Sequence, residues 1–351
     1  MATDDESRLF APADTAHAPR VMVIAEIGVN HDGDVGRADQ LLHAAADAGA
    51  NAIKLQLFRP DRLLSAAARL ATYQDGQADD AYALLDALTL PLDHMADLRA
   101  TAKALGLQFI VTPFSLGDVA DLAALDVDAA KIASPDAVNT PLLDAAAALG
   151  KPVIVSTGTC ELDELDDAGR VAQATGGALL QCVSAYPTPD LDAGLGGMAA
   201  LRDHFPGVAV GYSDHTAALD TGGLAVAAGA VVLEKHLTHD RAAPGPDHAA
   251  SLEPRDFATY VAAVGRAAAM LGPHRKTCRP HERDVHQVSR QSVCVVRDLS
   301  AGHVLTRDDL TVKRPGTGVP ARHLNDVIGR RLARPVKADH PLRAEDLADH
   351  G

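Results

Sequence analysis

Eight short runs of β-forming residues, each followed by an Ala/Leu-rich stretch of helical character, fill most of the first 240 positions and leave few folds open. The runs are 21–27, 52–57, 108–112, 129–132, 152–156, 178–183, 208–212 and 231–235. Helical segments between and after them include 37–48, 92–105, 116–125, 141–149, 162–174, 218–228 and 254–271. Several stop at Gly49, Gly106, Gly150 or Gly229, the residue type that ends a helix in the left-handed conformation. Strand–helix repeats at this spacing demand parallel strands joined by helical crossovers, and eight of them in roughly 250 residues match an α/β (β/α)8 TIM barrel. An open doubly wound sheet is the alternative, because closure leaves no mark on a sequence.

Barrels of this kind carry their chemistry at the C-terminal ends of the strands, and polar residues stand at all eight ends. They are Glu26; Lys54 with Gln56; Thr112; Lys131 with Ser134; Ser156; Ser184 with Tyr186; Ser213 with His215; and Glu234 with His236. Residues two apart on a strand face the same side, so Lys54 and Gln56, like Glu234 and His236, point together into the barrel. A charge placed there needs a partner or a ligand, since an unpaired buried charge costs several kcal/mol, on the order of a domain's whole stability. His215 and His236 on neighbouring strands suit a borderline divalent cation and leave open positions beside it. The lysines and hydroxyls are the donors that a phosphate or a carboxylate requires.

Composition narrows the partners. A net charge of −15 repels nucleic acid and anionic lipid, and 3% aromatic residues with no Trp leave few stacking platforms. The four cysteines, Cys160, Cys182, Cys278 and Cys294, form no CxxC pair and read as buried, reduced thiols. The acidic start Met1-Ala-Thr-Asp-Asp-Glu does not look like a signal peptide, and no apolar run suits a membrane span. We therefore expect a soluble, cytoplasmic protein with a disordered tail over 1–19.

The ordered motifs carry a resemblance. Ile24-Ala-Glu-Ile-Gly-Val-Asn-His-Asp-Gly33, Ala52-Ile-Lys-Leu-Gln56, Thr112-Pro-Phe114, Lys131-Ile-Ala-Ser134, Tyr186-Pro-Thr-Pro189, Gly211-Tyr-Ser-Asp-His-Thr216, Glu234-Lys-His236 and Pro244-Gly-Pro-Asp-His248 resemble the sialic acid synthase family, the N-acetylneuraminate or nonulosonate synthases. Beyond them, 292–302 and 310–318 are similar to that family's small β-rich antifreeze-like (SAF/β-clip) domain. The implied plan is a barrel over 20–272, a linker over 273–289 and the small domain over 290–351. The resemblance implies condensation of phosphoenolpyruvate with an open-chain N-acetylated amino sugar, N-acetylmannosamine or a relative, to a nine-carbon 2-keto sugar acid and phosphate.

By the same resemblance, His215 and His236 bind Mn²⁺, with Mg²⁺ or Co²⁺ as alternatives. Lys54, Thr112, Lys131, Ser134, Ser156, Ser184 and Ser213 hold phosphoenolpyruvate, while Glu26, Gln56, Tyr186 and Asp247 meet the sugar. Glu26 joins Glu234 and the histidines as the catalytic set, with Glu234 orienting or deprotonating the attacking water. Arg314 reaches the N-acetyl end of a partner's sugar in a domain-swapped homodimer. Two departures stand out: Pro135-Asp136 follow Ser134, removing a backbone donor, and Ser184 replaces an Asn of longer reach. The long stretch 59–91 reads as a flap over the mouth, with Tyr73-Gln74 as a point of substrate contact. Three rival readings are a sister synthase for a legionaminic or pseudaminic acid precursor or a phosphorylated sugar, a metal-dependent barrel hydrolase, and a non-catalytic carbohydrate-binding scaffold.

Overall fold

Residues 20–65 and 80–348 are described by the computed structural model; the expected tail 1–19 and Tyr73-Gln74 lie outside the described residues. The chain forms two compact units that divide between His274 and Arg275, and each is taken by itself.

In the first unit the strands β1 (Met22–Gly28), β2 (Ala52–Leu57), β3 (Gln108–Pro113), β4 (Ala129–Ile132), β5 (Val153–Ser156), β6 (Ala178–Cys182), β7 (Ala209–Asp214) and β8 (Val232–His236) close into a barrel in chain order. All pairings are parallel, and β8 returns to β1 with Glu26 opposite His236. Closure rules out the open sheet. The crossovers use α1 (Val35–Asp47), α2 (Pro60–Leu63), α3 (Ala81–Ala87), α4 (Leu92–Ala104), α5 (Leu116–Leu125), α6 (Thr140–Ala147), α7 (Asp166–Thr175), α8 (Gly197–His204) and α9 (Thr221–Ala227), with α10 (Pro254–Leu271) after β8. Gly49, Gly106, Gly150 and Gly229 all have positive φ, so the predicted helix stops work through the left-handed region that favours glycine.

Strand alternation divides the barrel wall into two faces. Outward residues such as Val23, Ile53, Val111, Val155 and Leu233 pack beneath the helices, while Ile24, Ala52, Ile110, Ile154, Ala178, Leu180 and Val232 fill the interior as a separate apolar plug. Further along, the inward positions of every strand but β6, which places Cys182 there, turn polar, so the site rests on that plug. The β1–β8 seam is tied above by Asn30, whose Nδ2 donates to the Leu237 carbonyl (2.9 Å) and to Ser251 Oγ (2.8 Å).

The second unit begins with the segment expected as a linker, which carries a 3-10 turn and the helix α11 (Arg283–Ser289). An antiparallel pair, β9 (Ser292–Val295) with β10 (Leu310–Lys313), and the short α12 (Leu324–Val327) enclose a core of Val293, Val295, Leu305, Leu310, Leu332 and Leu342. Isolated bridges complete it, so this unit is more irregular than sheet-like. Two similar turns, Thr306-Arg307-Asp308-Asp309 and Arg343-Ala344-Glu345-Asp346, each bury an aspartate that accepts the backbone N–H three residues earlier.

Candidate active site

A cavity of about 470 Å³ opens at the C-terminal ends of the barrel strands. β1 contributes Glu26, β2 Lys54 and Gln56, β3 Thr112, β4 Lys131, β5 Ser156, β7 Ser213 and β8 Glu234 and His236. Ser134 follows β4, Ser184 and Tyr186 follow β6, His215 follows β7, and Asp247 comes from the loop beyond β8. Every site residue expected on the barrel therefore lines one cavity. Arg314 belongs to the second unit, just after β10, where it is exposed.

The charges inside are paired but not saturated. Lys54 Nζ lies 3.0 Å from Glu26 Oε2 and 3.5 Å from Glu234 Oε1, and donates to Thr112 Oγ1 at 3.2 Å. Lys131 Nζ sits 3.8 Å from Glu234 Oε2 and donates to the Ile132 carbonyl. Gln56 Nε2 donates to Glu26 Oε1 (2.9 Å) and Ser213 Oγ to Glu234 Oε1 (3.2 Å). These environments drive the two carboxyls apart. Burial pushes Glu26 up to about 7 against the pull of Lys54. Burial also acts on Glu234, yet Lys131 and Lys54 outweigh it and hold that carboxylate below its ordinary value. One carboxyl can keep a proton near neutrality while the other stays ionised, the division of labour that acid–base chemistry requires.

Between β4 and β7 the wall offers hydroxyl groups. Ser156 Oγ is buried without a hydrogen-bond partner. Ser134 Oγ accepts the Gly158 N–H at 3.0 Å, which leaves its own proton free to donate. Gly158 has to be glycine, because a Cβ there would lie 2.5 Å from Ser184 Oγ and 2.9 Å from Ser134 Oγ. Ser134 thus keeps its place in the cavity despite Pro135, and Ser184 converges on the same spot. With Lys131 beside them, these are the donors of an oxyanion pocket.

His215 and His236 stand with ring centroids 5.3 Å apart, and both are buried. His215 Nδ1 is 2.8 Å from the Val183 carbonyl, to which its N–H donates, so Nε2 is the nitrogen left for a ligand. Burial, then the positive charges around it, hold His236 well below its ordinary value, as a neutral imidazole. Asp247 Oδ2 lies 3.6 Å from His236 Nδ1, and Tyr186 stacks on His215 at 4.2 Å. Among the described residues no group of three or more His, Cys, Asp or Glu could hold a metal. Burial would lower the His215 pKa, but Cys182 and the Val183 carbonyl outweigh it and raise it above its ordinary value. With that proton displaced, His215 beside neutral His236 fits a divalent cation that keeps open positions, and the further ligands of a metallohydrolase are not gathered among the described residues.

Sequence reasoning passed over Cys182, which is buried, lines the cavity and sits 3.8 Å from His215 Nδ1. Its signal was there: Ala178, Leu180 and Cys182 share the inward parity of β6. The expectation of uniformly buried thiols also fails at Cys278, which is exposed.

The chain matches the NeuB family over residues 41–276 and the SAF domain over 290–348. The chain belongs to the NeuB family. It is a sialic acid synthase-like enzyme. It is 36% identical over 335 residues to the N,N'-diacetyllegionaminic acid synthase of Legionella pneumophila, covering 93% of this chain and 94% of that one. Among solved structures, the N-acetylneuraminic acid synthetase of Leptospira borgpetersenii, in complex with citrate, is 33% identical with a TM-score of 0.68 over 76% of this chain and 90% of that one. A spore coat polysaccharide biosynthesis protein E from Chromobacterium violaceum superposes with a TM-score of 0.82 at 28% identity, over 94% of this chain and all of that one. No described helix is long and apolar enough to cross a membrane.

Proposed function

We propose that the enzyme condenses phosphoenolpyruvate with the open-chain form of an N-acetylated amino sugar, giving a nine-carbon 2-keto sugar acid and phosphate. The observation that carries this reading is the polar lining of the cavity at the C-terminal ends of the strands. Lys131 and the hydroxyls of Ser134, Ser156, Ser184 and Ser213 gather on β4 to β7, while Glu26 and Gln56 stand across it on β1 and β2. Donors for an anionic substrate and groups for a hydroxylated one thereby meet in one cavity, with Lys54 ion-paired to Glu26 where the two sets join.

In the reaction the enol carbon of phosphoenolpyruvate attacks the aldehyde, water adds at the phosphate-bearing carbon, and that carbon releases phosphate to leave the ketone. Lys54, Thr112, Lys131 and the serines hold the carboxylate and phosphate. Glu26, able to hold a proton near neutral pH, together with Gln56, Tyr186 and Asp247, meets the sugar oxygens. Glu234, kept ionised between two lysines, takes the proton of the attacking water. His215 and His236 would hold a divalent cation, Mn²⁺ first and Mg²⁺ or Co²⁺ as alternatives, which supplies Lewis acidity at a carbonyl oxygen. Arg314 serves the N-acetyl end of a partner's sugar in a domain-swapped homodimer, and four unpaired cysteines suit a cytoplasmic setting. The relatives named for legionaminic and pseudaminic acids favour, as the second reading, a precursor of one of those acids as the acceptor.

The deciding experiment follows phosphate release from phosphoenolpyruvate against a panel of free and phosphorylated amino sugars, with and without EDTA. Release that depends on one N-acetylated sugar and stops on chelation is the expected result. Phosphate released with no acceptor, or undiminished by EDTA, would overturn the condensation or the cation respectively.

A further inference from the structure

We propose that the buried ion pair Asp214–Lys235, on the outer face of β7 and β8, is a positioning device that fixes how Ser213, His215, Glu234 and His236 enter the cavity. The pair lies outside the cavity, yet each member sits between two residues that line it. In the β7–β8 register Ser213 faces Glu234 and Asp214 faces Lys235, so the clamp sits one step beyond the first pair and directly between the histidines' strands.

The contacts run through one carboxylate oxygen, Asp214 Oδ1, while Oδ2 is buried with no hydrogen-bond partner. Lys235 Nζ is 3.3 Å from Asp214 Oδ1 and also donates to the Thr216 carbonyl, immediately after His215. Asp214 Oδ1 in turn accepts the Thr216 N–H (2.9 Å) and hydroxyl (2.8 Å), and Thr216 Oγ1 meets Thr221 Oγ1 of α9 at 2.9 Å. Lys235 Nζ also lies 5.5 Å from the centre of the Tyr260 ring on α10. That ring packs so closely on α9 that a Cβ at Gly222 would stand 2.4 Å from it. Both charged side chains are wholly buried.

Stability alone does not account for the pair. The neighbouring outward positions Val210, Tyr212 and Leu233 meet the helices through apolar packing, and a buried ion pair replaced by apolar groups of similar volume usually leaves a fold as stable or more so. What an apolar pair lacks is direction. A one-residue slip of either strand would turn its histidine out of the cavity, and a small rotation of either strand would move the imidazoles relative to one another. Lys235 grips β7 on both sides of His215, through Asp214 and Thr216, from a point on β8 between Glu234 and His236. Partners behind metal-binding or catalytic groups act in this way, by orientation.

The role of the pair rests on the reading of His215 and His236 as cation ligands, so the test measures cation binding, stability and turnover separately on the full chain. The variants are Asp214→Leu/Lys235→Met, which replaces the pair by apolar groups, and Asp214→Asn, which keeps the shape and removes the charge. Mn²⁺ is titrated into metal-stripped protein and followed by the electron paramagnetic resonance of the free ion. The double variant should unfold within about 4 °C of wild type and bind Mn²⁺ roughly 10- to 100-fold more weakly, with kcat falling more than the KM for phosphoenolpyruvate. Asp214→Asn should move the same way by about tenfold. A folded variant that binds Mn²⁺ and turns over like wild type overturns the proposal. Should the double variant fail to fold, Asp214→Asn decides on the same measurements. Absence of Mn²⁺ binding by wild type would instead sink the cation reading, and the pair would then stand or fall on whether folded Asp214→Asn loses kcat through Glu234.

Discussion

Buried carboxylates occur in both units, and those of the barrel cavity are treated differently from those of the second unit. In the second unit Asp309 accepts from the Thr306 N–H (3.0 Å) and hydroxyl (2.7 Å), His303 Nε2 (2.9 Å) and Arg297 Nη2 (2.5 Å), and Asp346 accepts from Arg343 N and Arg334 Nε. Their needs are met locally, and these aspartates act as struts. In the barrel Glu26 and Glu234 share two lysines at distances up to 3.8 Å, beside a serine hydroxyl with no partner at all. A polar cluster left incomplete in a 470 Å³ cavity is waiting for a ligand to complete it. The contrast teaches that satisfaction has to be weighed with position: Asp309 and Asp346 are met locally, whereas the incompletely paired Glu26 and Glu234 face a cavity.

Substitutions can break that contrast. If it holds, changes in the cavity lower activity and leave stability alone, while changes at the hubs do the reverse. The largest effect is expected at His236→Ala, which should cut turnover by about 10³-fold or more with an unaltered melting temperature; loss of fold instead would make this histidine a core residue. Next, Lys131→Ala should lower kcat/KM for phosphoenolpyruvate by roughly 10²-fold while the sugar's KM barely moves. Steady-state kinetics with each substrate varied in turn would show whether the loss has been assigned to the wrong partner.

The hub is expected to respond through stability. Asp309→Asn should destabilise the second unit by about 3 kcal/mol, read as faster hydrogen exchange over 290–348 in the intact chain. Burial alone would raise the Asp309 pKa, but the hydrogen bonds from His303, Thr306 and Arg297 outweigh it and hold the carboxyl well below its ordinary 3.8. Its stabilisation is therefore complete above that pH and is lost as pH falls below it, and the variant should lack this acid-side loss. The smallest effect belongs to Ser156→Ala. With no partner to lose, the fold should stay as stable or gain slightly, while the KM for phosphoenolpyruvate rises about tenfold.

Much of this arrangement was legible in the residues. β2 and β4 fall where their β-branched and Ala-rich runs place them, and the period-two rule put Lys54, Gln56, Glu234 and His236 inside. Helix α8 escaped because it opens on Gly196-Gly197, a poor helix start. Cys182 escaped because an apolar reading of cysteine hid its inward position. Asp214 and Lys235 could not be read as a pair at all, since the register that sets them opposite one another exists only after eight strands have closed.

That closure also has a consequence in time. Asn30 joins Leu237 and Ser251, partners 207 and 221 positions along the chain, at the seam where the first strand meets the last. A contact of such separation is slow to find and comes late in folding. Glu26, Lys54 and Lys131 are made before Glu234 and His236, so a growing chain lacks the carboxylate that the two lysines share. The cavity lining is therefore completed only when β8 joins β1, and a chain ending before β8 is expected to show no turnover.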